Sequence, residues 1–434
     1  MTAATETKPA PTGRSATGVS ERIAASVRSE VGLARIALGV VALHVVDDNF
    51  LQPNPGTSAA DHLPGGLIQL GLLVGAAVAY GRVRAGARAV IALFVGFFGV
   101  LASTEAFHYT TTVGASGDDY TGWLSAAAGL ILLGVGAVTL WRSRKTHDRL
   151  WWRYVRRGLL AGAALVTVAL VLFPIALTYV VTHTARSHVP AADLGAPYED
   201  VEFTTSDGLR LRGWYIESRN GAAVISFPGR AASQKRAKML ARHGYGVLLF
   251  DRRGEGESEG DPNLFGWQGE RDVHAAVEFL HRRGVDPQRI GAIGLSVGGE
   301  VLIEAAAESN DLRAVVSEGA SARSVREDFD QHGVSPQSIL GLPITLGTAL
   351  FTSDLPPDNL QSLVARTTPR PMFFIYAESV RQAEKPANDA FYAAARGPKE
   401  IWEVPGSRHM GGIDAQPKEY EKRVVGFFDR ALLG

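Results

Sequence analysis

Hydrophobic positions along the chain follow two regimes that meet near residue 184. Before it, apolar residues come in long runs, at about 31–46, 67–80, 87–103, 123–141 and 158–182. The fourth and fifth runs reach about 20 residues without a charge, enough to cross a hydrocarbon core roughly 30 Å thick. The first carries Arg35 and His44, and the short second holds Gln69, so each alone also fits a buried helix of a soluble protein. Five in succession, with Gly and Ala inside them, predict an all-α transmembrane bundle of closely approaching helices. Trp123, Trp141, Trp151, Trp152 and Tyr154 stand at run ends, where aromatic belts belong. Residues 1–28 are rich in Thr, Ala, Ser and Pro without a hydrophobic period and read as a disordered tail. They do not form a signal peptide, because the first apolar run starts late and no small-residue cleavage site follows it.

After residue 184 short β-like runs alternate with helical ones, the pattern of a βαβ sheet domain. Strands are predicted at 200–205, 209–217, 222–227, 246–251, 290–295, 312–317, 372–377 and 400–404. Helices are predicted near 233–243, 268–283, 297–307, 388–395 and 417–433, with Gly244 and Gly284 stopping the first two. Residues 320–368 break the alternation and are too long for an ordinary connection; they read as a cap. The chain thus divides into a tail (1–28), a membrane region of about five helices (29–184) and a sheet domain (185–434).

Composition changes this picture little. Lys plus Arg and Asp plus Glu both number 44, so no global charge points to nucleic acid. The absence of cysteine excludes disulfides, thiolate catalysis and cysteine-ligated metal.

The strongest chemical signal is Gly294-Leu295-Ser296-Val297-Gly298-Gly299, between a predicted strand and a predicted helix. A serine there sits on a strained turn with its hydroxyl exposed, and Gly294 and Gly298 keep side chains out of the crossing. Such a hydroxyl needs a base. His409 lies in a glycine-bounded loop, Pro405-Gly406-Ser407-Arg408-His409-Met410-Gly411-Gly412, after the last strand. His243, His274, His281 and His332 fall on helices or in the cap and are misplaced for that task.

With the 251–258 loop Asp-Arg-Arg-Gly-Glu-Gly-Glu-Ser and the Pro-Gly-x-x-His ending, residues from about 195 to 434 resemble an α/β hydrolase of the bacterial dienelactone-hydrolase and peptidase-like kind. The resemblance implies an eight-stranded, mostly parallel sheet with strand two antiparallel, helices on both faces and a cap. The N-terminal helices resemble an extension of some actinobacterial membrane hydrolases. The family's acid follows strand seven in a Gly-x-x-Asp turn, but Val380 fills that slot here. Glu384, read as sitting in a loop before a helix starting near Asn388, is favoured as the acid over Glu378, with Asp389 third. For the oxyanion hole the expected donors are the backbone N–H groups of Val297 and Arg230. Pro228 cannot donate. The Arg230 side chain is read as a solvated surface arginine or a substrate-carboxylate ligand, and the 251–258 loop as a brace for the oxyanion loop.

The reading is a serine hydrolase cleaving an ester, thioester or amide, with a small-molecule or lipid-like acyl substrate and no cofactor. A peptidase of the same fold is the second reading, and a non-catalytic membrane sensor or binding module the third. An intact Ser296 and His409 weigh against the last. His44, Asp47, Asp48, His62, Glu105, His108, Asp118 and Asp119 form a second polar set in the membrane region, read as solvated loop residues with no metal claimed. Lys and Arg crowd the segments before the first run, between the second and third, and between the fourth and fifth; residues 47–66 and 104–122 have none. The positive-inside rule then predicts a cytoplasmic N-terminus and an extracytoplasmic sheet domain.

Overall fold

The computed structural model describes residues 29–112, 117–143 and 150–434. The expected tail, 1–28, lies outside the described residues. The described residues form two compact units, one drawn from residues 29–45, 70–110 and 117–143, the other from 46–69, 111–112 and 150–434.

The first unit is helical. Its helices approach at glycine: a Cβ on Gly129 would lie 2.6 Å from the Gly96 carbonyl oxygen, and one on Gly96 2.8 Å from that of Gly129. This is how small residues let apolar helices touch backbone to backbone. Ala34, Ala37, Leu38, Tyr80, Ala92 and Leu132 are buried in its core.

Among the described residues four helices are long and apolar enough to cross a membrane: Leu63–Tyr80, Ala85–Thr111, Tyr120–Arg142 and Tyr154–Thr182. The first of the five predicted runs does form a helix, Glu30–Val46, but it ends after 17 residues in the π-turn Asp47–Leu51 with its two acidic residues. It therefore does not qualify with the other four.

The second unit is built on one sheet: β1 (Glu199–Thr204), β2 (Arg210–Ile216), β3 (Ala223–Phe227), β4 (Gly246–Phe250), β5 (Ile290–Leu295), β6 (Ala314–Glu318), β7 (Met372–Ala377) and β8 (Lys399–Val404). The order is β1-β2-β4-β3-β5-β6-β7-β8. β2 runs antiparallel to both β1 and β4, and every other pairing is parallel. The central strands are buried on both faces, so they read as continuous apolar runs. Alternate residues feed two cores. Ile225, Ala292 and Phe374 face the helices Gly269–Arg282 and Val297–Glu308, while Val224, Ile293 and Phe373 face Arg230–Arg242 and Pro417–Phe428.

Residues 46–69 and 150–182, assigned from sequence to the membrane region, belong to this second unit. Hydrogen bonds explain why. Gly260 N donates to Pro55 O (2.9 Å), Asn54 Nδ2 to Asp261 Oδ1 (3.0 Å) and Leu264 N to Val181 O (3.1 Å). His62 Nε2 lies 3.3 Å from Asp261 Oδ2. The expected cap is helical, Val325–His332, Pro336–Thr352 and Leu360–Arg366. Its long helix packs on Phe173–Thr182, where Gly347 makes room for Thr178 and the Tyr179 and Phe351 rings meet edge-on at 5.3 Å.

Candidate active site

The sharp turn between β5 and the helix Val297–Glu308 carries Ser296 at φ 52°, ψ −123°. A non-glycine residue at positive φ is costly and persists only where its surroundings enforce it. They do so here by close packing. A Cβ on Gly294 would lie 2.4 Å from Gly298 O, and one on Gly298 would lie 2.9 Å from Phe227 O. Both elbow glycines are thus required by the strand–helix crossing.

His409 comes from the loop after β8, and its Nε2 lies 3.0 Å from Ser296 Oγ. Its Nδ1 is 2.5 Å from Glu384 Oε1, and the second oxygen of Glu384 accepts the Ala377 N–H at 2.9 Å. Glu384 is 3% exposed. The hydrogen bond to Glu384 holds the imidazole pKa above its ordinary value, against the opposing effect of burial. Glu384 does not precede its helix: the helix starts at Arg381 and carries Pro386 inside it. Glu378 is exposed and points elsewhere, accepting the Gly406 N–H at 2.7 Å. Asp389 pairs with Lys385.

The Val297 N–H, at the start of its helix, has no acceptor among the described residues. Arg230 departs from expectation in both its parts. Its N–H donates to Asp251 Oδ1 at 3.0 Å and is not free for an oxyanion. Its guanidinium is buried, 2.7 Å from both Asp251 Oδ2 and Glu257 Oε2 and stacked over Trp214, so it is neither a surface arginine nor a substrate ligand. The reason is Asp251, which ends the β4 side of the site and needs a cation to be buried at all. The N–H groups of Gly229 and Ala231, flanking Arg230, are left without an acceptor among the described residues.

A group that sequence reading missed holds the histidine loop. Glu318, at the end of β6 and 2% exposed, pairs with Arg236 (2.8 Å), accepts from Tyr420 Oη (2.6 Å) and takes the Gly412 N–H (3.0 Å). Arg236 also donates to Met410 O at 2.7 Å. Next to Glu318, Gly319 has φ +78°, and a Cβ there would come within 3.1 Å of the imidazole. No local motif marks these residues, since they are spread over four elements.

Beside Ser296 opens a cavity of about 340 Å³. Its walls include Phe265 and Trp267 from the loop after β4, Glu300 from the helix that follows Ser296, and Ile344 and Thr348 from the long cap helix. Burial pushes the Glu300 carboxyl up, and that carboxyl accepts from the N–H and hydroxyl of Ser321.

Among the described residues no group of three or more His, Asp and Glu could hold a metal ion. His44 Nδ1 meets Thr121 Oγ1 at 3.2 Å in the first unit, whereas Asp47 and His62 belong to the second and bond to Gln52 and to Thr57 and Asp261. The side chains of Asp118 and Asp119 lie outside those described.

An eight-stranded sheet in this order, with a serine on the strand-to-helix turn and a histidine loop after the last strand, defines an α/β hydrolase. The enzyme is a serine hydrolase. Comparison with known families matches residues 184–401, half of the chain, to the X-Pro dipeptidyl-peptidase (S15) family, and the chain belongs to that family. YfhR of Escherichia coli K12 is 26% identical over 248 residues, covering 54% of this chain and 81% of YfhR. The thiohydrolase aneE of Aspergillus aculeatus is 38% identical over 129 residues, 28% of this chain and 41% of aneE. Among solved structures, an esterase of Pyrococcus furiosus aligns with a TM-score of 0.46 at 24% identity, over 57% of this chain and 98% of the esterase.

Proposed function

We propose that the protein is a membrane-anchored serine hydrolase that cleaves an ester or thioester through a Ser296–His409–Glu384 triad and an acyl-enzyme. The observation that carries this reading is the unbroken chain from Ser296 Oγ through the imidazole to a buried carboxylate, at 3.0 and 2.5 Å. Ser296 Oγ attacks the acyl carbon while His409 takes its proton and passes it to the leaving alcohol or thiol. Water, deprotonated by the same imidazole, then releases the acid and regenerates Ser296. Glu384 fixes the tautomer with the proton on Nδ1 and stabilises the imidazolium. The developing oxyanion is held by the Val297 N–H and by an unpaired N–H beside Arg230. The thiohydrolase named among the relatives supports acyl transfer from oxygen or sulfur.

Peptidase activity is the second reading, favoured by membership of the S15 family. Parallel assays on p-nitrophenyl esters, acyl thioesters and X-Pro peptides separate the two. The nucleophile itself is tested by a fluorophosphonate probe on the full chain in detergent. Labelling should vanish in Ser296→Ala, and labelling that survives that change refutes the assignment.

The four long apolar helices support membrane anchoring. The alternation of Lys and Arg between segments supports an extracytoplasmic hydrolase domain.

A further inference from the structure

The long cap helix, Pro336–Thr352, has no charged residue on either face. One face, with Gly341, Ile344 and Thr348, lines the cavity beside Ser296. On another, Ile339, Leu342 and Leu346 are 46%, 56% and 62% exposed, and Val334 before the helix and Leu355 after it are more exposed still. The spacing i, i+3, i+7 places the three on one stripe. A soluble surface helix carries charge on its outward stripe, and a contiguous apolar one marks a binding face.

What covers the stripe follows from the helix it packs on. Tyr154–Thr182 is 29 residues long. At 1.5 Å per residue that is roughly 43 Å, against a hydrocarbon core of roughly 30 Å. With the aromatic residues Trp151, Trp152 and Tyr154 at one membrane face, about the last nine residues emerge from the other. The cap helix touches both Val168–Leu172 and Phe173–Thr182, so it lies along the stretch where that helix leaves the core. The same span also holds a second part of the cavity lining, since Val181 O accepts the N–H of the lining residue Leu264.

We infer that the exposed stripe of the cap helix is seated in the lipid interface, and that the active-site cavity takes its substrate from the bilayer: a membrane-resident lipid ester whose acyl chain passes beside the cap helix to Ser296. The cap helix then separates lipid from catalytic serine by its own thickness. The Ser296 Oγ–acyl bond forms as the lipid ester's C–O bond breaks, the proton leaves on the lipid alcohol, and water releases the fatty acid. Because the helix lacks charge, seating depends on apolar insertion and not on anionic lipid.

This substrate class rests on the serine-hydrolase reading above, so the experiment has two separate readouts. The chain has no cysteine, which allows single spin labels at Leu342→Cys, Leu346→Cys and, as an aqueous reference, the exposed Lys418→Cys. The full chain is placed in phosphatidylcholine nanodiscs, and label collisions with oxygen and with a water-soluble nickel chelate are compared. Labels at 342 and 346 should favour oxygen over nickel, at any salt concentration, while the label at 418 favours nickel. Nickel-accessible labels at 342 and 346 overturn the proposal, and labels shielded from both reagents overturn it in favour of a protein partner. In the second readout, the combined Ile339→Ser, Leu342→Ser and Leu346→Ser variant is assayed on 4-methylumbelliferyl palmitate held in vesicles and on soluble 4-methylumbelliferyl acetate. Palmitate turnover should fall about tenfold or more, since three half-exposed apolar side chains withdrawn from lipid together lose contact worth more than that factor. Acetate turnover should stay unchanged, and equal loss on both substrates refutes bilayer entry. If wild-type protein turns over neither ester and resists fluorophosphonate, the hydrolase reading fails, while the label depths still report on the cap.

Discussion

Replacing Glu384 with glutamine changes one atom and leaves no good arrangement of hydrogen bonds. The wild-type carboxylate accepts twice, from His409 Nδ1 and from the Ala377 N–H at 2.9 Å. Glutamine has one acceptor and one NH₂. If the NH₂ faces Ala377, two donors oppose each other in a site only 3% exposed, at a cost of about 1–3 kcal/mol. If it faces His409, Nδ1 must accept, and the imidazole proton moves to Nε2. There it points at Ser296 Oγ, and the serine loses its base. The second arrangement avoids the buried clash and dominates, so the competent tautomer becomes roughly 5–150-fold rarer. The lost carboxylate charge no longer stabilises the imidazolium, which brings the expected fall in kcat to about 10⁴-fold, the scale known for the triad aspartate of serine proteases. Glu378→Gln, which alters only an exposed contact to Gly406 N, should cost less than tenfold. The assay is kcat on p-nitrophenyl butyrate for the full chain in detergent, with circular dichroism to verify folding. A Glu384→Gln enzyme within tenfold of wild type, or a 10⁴-fold loss in Glu378→Gln, refutes the reasoning.

Because Glu384 raises the His409 pKa and the imidazole acts as a base only when neutral, kcat/KM should fall with decreasing pH through a value above 6.5. In Glu384→Gln that limb should move to lower pH, and a limb that moves up contradicts the pairing. Burial pushes the Asp354 carboxyl up from 3.8 to about 6, so its contribution to stability is full below pH 3.8 and is lost as pH rises through 6. Asp354→Asn should therefore raise stability by about 1–3 kcal/mol at pH 8 and leave it unchanged near pH 3.5; equal melting shifts at both pH values would exclude this origin. A C-terminal alkaline phosphatase fusion should be active and a cytoplasm-only fluorescent fusion dark, and the opposite pair would place the hydrolase domain inside.

Much of the sheet domain was legible because its strands are bounded by turns and helix-stopping glycines. β5 and β7 fall where the apolar runs put them, and the other strands shift by a residue or two. Ser296 and His409 were visible because each sits at a fixed place relative to a strand end. Glu384 was named, but its setting was misread: a proline six residues into a helix looks like a stop, yet Arg381–Ala394 runs through Pro386. Arg230 failed for a different reason. Position in the loop says which N–H is near, but not that Asp251, 21 residues on, takes it. Glu318, Arg236 and Tyr420 were invisible for the same cause, since a buried ionic network across distant elements leaves no local pattern. The boundary at 184 missed the return of residues 46–69 to the sheet domain, which depends on single hydrogen bonds from a polar loop.

That return also bears on orientation. Counting positive residues over five crossings puts the hydrolase domain outside only if every run crosses, and the 17-residue helix Glu30–Val46 is not among the four candidate spans. The bonds from Asn54, Pro55 and His62 to residues 260 and 261 make a tighter condition, because they tie the segment before Leu63 to the domain after Thr182 within one compact unit. Two segments bonded in this way would lie on one side of a membrane, so an even number of crossings is expected between them. Four candidate spans lie between them. Whether Glu30–Val46 crosses then affects only the N-terminus. The expected side of the hydrolase domain then follows from residues 47–62, which carry no Lys or Arg, while the segment between the first two candidate spans carries Arg82 and Arg84. By the positive-inside rule the first is expected outside and the second inside, which is the orientation that the alkaline phosphatase and fluorescent fusions test.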